Sequence, residues 1–68
     1  MKPAWIDLRR GDPVFSSNGA VAGEVVSVSD SQVILQLDAY RGPTILQGKH
    51  LRTNVSRLGP LVLFTTAR

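Results

Sequence analysis

Residues 13–28 read Pro13-Val14-Phe15-Ser16-Ser17-Asn18-Gly19-Ala20-Val21-Ala22-Gly23-Glu24-Val25-Val26-Ser27-Val28. They contain a hairpin. Pro13 fixes its own φ and has no N–H to donate, which suits the first position of a strand. Val14 to Ser17 follows as a short strand. Asn18 and Gly19 both tolerate positive φ, and the pair predicts a type I′ turn. The return strand is predicted from Ala20 to Ser29, long for so small a chain. Its apolar residues fall in two phases: Val21, Gly23 and Val25 in one, Val26 and Val28 in the other. A flat strand with one buried face cannot bury both sets. Either both faces are covered or the strand bends, and Gly23 removes a side chain where a bend or close backbone approach would need it. The bend is the expectation, because a long kinked second strand closes a small barrel.

The same pattern continues outward. Ser29-Asp30-Ser31 is turn chemistry. Gln32 to Asp38 alternates, with Val33, Leu35 and Leu37 on one face and Gln32, Gln36 and Asp38 on the other. Ile34 sits among the polar residues, as a candidate contact with a second copy. Ala39 to Pro43 reads as a loop, with Tyr40 expected to cap one end of the core. Thr44 to Gln47 is a fourth strand. Leu51, Val55 and Leu58 at four-then-three spacing suggest one 3₁₀ turn over Thr53–Leu58, ended by Gly59-Pro60. Leu61 to Thr66 is the fifth and last strand. Its run Leu61-Val62-Leu63-Phe64 is apolar on both faces. One pair, Val62 and Phe64 or Leu61 and Leu63, is expected to be covered by another subunit or by the Trp5-Ile6 segment.

Composition constrains assembly. The 68 residues hold eight Lys+Arg and five Asp+Glu, a formal net charge of +3, with 19 % charged residues and no cysteine. This length gives one domain, residues 1–68. Domains of about 60 residues are marginal alone and rely on disulfides, metals or association. Without cysteine there is neither a disulfide nor a thiolate metal site. With His50 the only histidine, a zinc site would need carboxylates. Self-association is the remaining route, and the expected partner is a second copy in a dimer or tetramer. No run approaches a membrane span. The N-terminus has no apolar core of a secretory signal, and a cytoplasmic location is expected. Charge is uneven: residues 41–68 contain Arg41, Lys49, Arg52, Arg57 and Arg68 and no acid. Arg41, Lys49, Arg52 and Arg57 are candidate contacts for an anion or nucleic acid. The opposing reading is that the two halves interleave and their charges offset.

Gly11-Asp12-x-Val14, then Gly19, then Gly23-x-Val25, resembles the opening hairpin of SH3-like small barrels. The pattern from Val14 to Val28 is similar to that of the PRC-barrel-like group. The resemblance implies an all-β, five-stranded SH3-like (PRC-barrel-like) barrel with one 3₁₀ turn before the last strand. Gly-Asp-x-Val also opens the KOW modules of ribosomal and transcription proteins. Those usually place Lys or Arg in the first hairpin loop, whereas residues 16–22 contain no cation. Type II dihydrofolate reductases are small SH3-like chains that build one active pore from four copies. Their Val-Gln-Ile-Tyr strand is not matched by Thr44-Ile45-Leu46-Gln47.

No catalytic set is legible. His50 lies between Lys49 and Leu51 with no sequence partner, and reads as a surface or turn residue. The glycines do not form a phosphate loop, and no cofactor is expected. The first functional expectation is therefore a self-associating binding or scaffold module, with Trp5, Ile34, Val62 and Phe64 as candidate interface residues. Nucleic-acid binding through the basic second half is the second. An oligomeric enzyme with a shared pore is the third, since symmetry can build a site from one repeated residue.

Overall fold

Ser16 donates its backbone N–H to the Ala20 carbonyl at 2.9 Å, and Gly19 donates to the Ser16 carbonyl at 3.0 Å. In this computed structural model, which describes residues 3–65, the first hairpin thus closes around three residues, Ser17 to Gly19. It is not the expected type I′ pair. Only Gly19 takes positive φ (87°), while Asn18 does not, which fits a type I turn followed by a left-handed glycine. The side chain of Asn18 explains the choice. Its Oδ1 accepts from the Ala20 N–H at 3.0 Å and from the Ser16 hydroxyl, bracing the loop from within.

Among the described residues six strands follow in chain order: β1 (Pro13–Ser16), β2 (Val21–Val28), β3 (Gln32–Leu37), β4 (Thr44–Gln47), β5 (Val55–Leu58) and β6 (Leu61–Phe64). Two short 3₁₀ helices join them, η1 (Trp5–Asp7) before β1 and η2 (Gly48–Arg52) between β4 and β5. All pairings are antiparallel. The strands form one sheet in the order β4-β3-β2-β1-β6-β5, curled into a half-barrel. No α-helix occurs among the described residues.

The expected count of five strands is corrected to six. Val55–Leu58, read as part of a 3₁₀ turn, is a strand, and the 3₁₀ helix lies earlier. The reason is Gly59-Pro60. Gly59 has φ 62°, and Leu58 pairs with Leu61 across the two residues. A glycine first in a two-residue loop is the chemistry of a type II′ hairpin, so the pair reverses the chain rather than stopping it. Thr66, assigned to the last strand from the sequence, lies outside the described residues.

The bend expected in β2 takes the form of two irregularities. The register shifts opposite Val14/Phe15, where Ala22 is the extra residue, and again between Val25 and Ser27, where Val26 is. The second shift changes phase. Val25 pairs with Leu35 and Val28 pairs with Val33, so both valines pack on the core while Val26 is exposed. An inserted residue thus reconciles the two apolar phases.

The core is one cluster: Trp5, Leu8, Val14, Val25, Val33, Leu35, Leu37, Leu46, Leu51 and Leu63. Trp5, expected at an intermolecular interface, is instead 0 % exposed within the chain. The edges β4 and β5 do not pair with each other, so the curled sheet has an open side. The two 3₁₀ helices, which pack together, contribute Trp5 and Leu51 to the core there. Trp5 donates its backbone N–H to the Thr53 carbonyl at 3.0 Å. Thr65 Oγ1 donates to the Pro3 carbonyl at 2.7 Å, tying the N-terminal segment to the end of β6. Tyr40 does not cap the core. It is 41 % exposed, because its segment is held by main-chain bonds: its N–H to the Leu37 carbonyl, and its carbonyl from Gln36 Nε2 at 3.0 Å.

Candidate interaction surface

In β6, Leu63 is fully buried and Leu61 packs on the core. Alternation sends Val62 and Phe64 to the outer face. The same holds in β1, where Val14 is buried and Phe15 is its outward neighbour. Directly opposed residues of an antiparallel pair project to one face, so the register identifies what stands beside Phe64. Val21 pairs with Phe15, Phe15 with Phe64, and Phe64 with Val55. These four apolar residues form a row across β2, β1, β6 and β5. At about 4.8 Å between strands, the row spans roughly 14 Å. Val21 is 59 % exposed, and Phe15, Phe64 and Val55 are half-buried. Val62 adjoins the row, opposite Arg57.

Of the four interface candidates from the sequence, Val62 and Phe64 therefore lie together on the outer face and Trp5 lies inside the core. Ile34 is half-buried on the outer face of β3, opposite Ile45 and Ser27, in a second, smaller patch. Phe15, Val21 and Val55 were not singled out from the sequence. Adjacent apolar residues in short strands, Val14-Phe15 like Val62-Leu63-Phe64, were the available signal.

A depression flanks each end of the row. The one beside Val21 has a volume of about 290 Å³ and is lined by Glu24, Gln36 and Asp38 with Gly11, Pro13 and Gly23. The one beside Val55 measures about 560 Å³ and is lined by Lys49, His50, Thr53 and Arg57. The candidate cations are thus only partly gathered. Lys49 and Arg57 line one depression. Arg52 ends the same 3₁₀ helix without lining it, and Arg41 lies in the loop after β3, a few residues from Asp38. His50, read as a surface residue, is exposed in η2 and lines the same depression as Lys49 and Arg57. Thr53 Oγ1 donates to the carbonyls of His50 and Val55 at 3.2 and 2.9 Å, fixing the turn from η2 into β5.

Among the described residues no group of three or more His, Cys, Asp or Glu could hold a metal ion. None of their helices is long and apolar enough to cross a membrane. Comparison with protein-family models, with curated proteins and with solved structures returned no match.

Proposed function

We propose that this chain is a self-associating binding or scaffold module of the SH3-like, PRC-barrel-like kind, with the outer face of β2-β1-β6-β5 as its contact surface. The observation that carries this reading is the row Val21–Phe15–Phe64–Val55 with Val62 beside it. A contiguous apolar patch on the outer face of a sheet is a mark of an interaction site. At about 25 cal/mol per Å² of apolar area, covering the row supplies several kcal/mol, comparable to the whole stability of so small a domain. The Gly11-Asp12-x-Val14 hairpin and the bulged β2 support the family reading.

Sedimentation and light scattering from micromolar concentration upward test it. The expected result is a mass above 7.4 kDa that falls on dilution and in Val21→Lys. Val21 is exposed, so that substitution leaves the core intact. A monodisperse 7.4 kDa species at every concentration overturns the reading.

The basic depression supports a second reading, binding of a nucleic-acid backbone by Lys49 and Arg57 with Arg52 nearby. Retardation of RNA or DNA that weakens steeply with salt is the expected signature. No retardation at low salt ends it.

A further inference from the structure

We infer that the second copy binds the outer face through a two-fold axis that sets the acidic end of each apolar row against the basic end of the other. This rests on the self-association proposed above and specifies its geometry.

The inference comes from the placement of charge about the row. Glu24 is the next outward residue of β2 after Val21, and it stands opposite Gln36 and Pro13. Arg57 is the next outward residue of β5 after Val55, and it stands opposite Val62. Because β2 and β5 run in opposite directions in this sheet, Glu24 and Arg57 are displaced to opposite sides of the row. They lie diagonally about its midpoint, between Phe15 and Phe64. Asp38 adds to the acidic corner, and Lys49 to the basic one.

A face with an apolar middle and opposite charges at diagonal corners is self-complementary. A two-fold axis in the contact plane, passing between Phe15 and Phe64 and perpendicular to the line from Glu24 to Arg57, exchanges the corners. Glu24 of each copy then meets Arg57 of the other, twice per dimer, and the two apolar rows cross at the centre. Such an isologous contact closes on itself and gives a dimer rather than a fibre. A standard interface buries about 800 Å² on each partner. That is less than a fifth of the 4479 Å² accessible on this chain. Rim charges of this kind set register and choice of partner more than bulk affinity.

Charge reversal tests the geometry. Glu24→Arg and Arg57→Glu both change exposed side chains, and circular dichroism checks that each variant folds. In sedimentation equilibrium at low ionic strength, each variant alone is expected to self-associate at least tenfold more weakly than the parent. An equimolar mixture, with one variant carrying an N-terminal fluorophore, is expected to form a heterodimer tighter than either homodimer. In that mixture both corner contacts are again of opposite sign. If the parent dimerises and the two reversals leave its affinity unchanged, or if mixing restores nothing, the two-fold arrangement is wrong and self-association stands on other contacts, such as the β4 edge. If the parent is monomeric throughout, self-association itself fails.

Discussion

The backbone of Gly23 lies against the main chain of Gln36 so closely that a Cβ there would collide with the Gln36 carbonyl oxygen and come within 2.8 Å of Leu37 Cα. Both obstacles are backbone, so neither can swing aside. Gly23 pairs with Leu37 on one side and Val14 on the other, at the point where β2 carries its first irregularity. Gly23→Ala is expected to cost about 1–3 kcal/mol through overpacking, read as a lower denaturant midpoint. Gly42 has open space around its Cα and an ordinary φ. Gly42→Ala is expected to be neutral or to stabilise by up to about 1 kcal/mol. Equal effects at the two sites would contradict this packing.

Trp5 is the only tryptophan and reports on the open side of the half-barrel. Its ring is fully buried, and among the described residues Nε1 has no hydrogen-bond partner. Its emission is expected to be blue-shifted in the folded protein and to move to the red on unfolding. Trp5→Ala is expected to cost about 3–5 kcal/mol, enough to unfold much of the population. Folded-state emission already at the solvent-exposed position would mean that Trp5 does not plug the sheet.

The first hairpin depends on Asn18 and Gly19 in different ways. Gly19→Ala forces a side chain into the left-handed region, at a cost of about 1–2 kcal/mol. Asn18→Ala removes the acceptor of the Ala20 N–H and the Ser16 hydroxyl, at about 1 kcal/mol. Asn18→Gly leaves positive φ open at both turn positions but deletes the side chain that braces the three-residue loop, and is expected to destabilise as well. A gain in thermal stability from Asn18→Gly would point back to the two-residue turn.

Thr65 is buried, and its hydroxyl reaches the Pro3 carbonyl at 2.7 Å. Thr65→Val keeps the shape and deletes the bond. The expected loss is about 1 kcal/mol, with faster hydrogen exchange concentrated at the Trp5 amide, whose partner is Thr53. Exchange accelerated evenly over the whole sheet would show that this bond does not anchor η1 locally.

Much of the sheet was legible because alternation is a local property. β3 is bounded by turn residues, and its Val33, Leu35 and Leu37 are all buried. β4 falls on Thr44–Gln47 as read. Gly23 reads as the site of a bend or a close backbone approach, and both occur there: the first irregularity of β2 adjoins it and the Gln36 main chain lies against it. β5 was missed because Ser56 occupies its core-facing position, buried beside Leu63. With a serine there, the strand shows no apolar alternation, and Leu51, Val55 and Leu58 imitate a helical spacing.

The amino-acid order by itself determined an all-β chain with short strands, a bent second strand and more apolar side chains than one strand face can bury. Those follow from residue-by-residue preferences of backbone and side chain. It did not determine which of those side chains would be inside. Trp5 went to the core because the edges of a curled sheet left an opening beside η2, residues 48–52. Phe15, Phe64, Val21 and Val55 became neighbours only because β1 pairs with β6 as well as with β2. A face is a property of strands brought together from distant parts of the chain, and the pairing that builds it exists only once the sheet has closed.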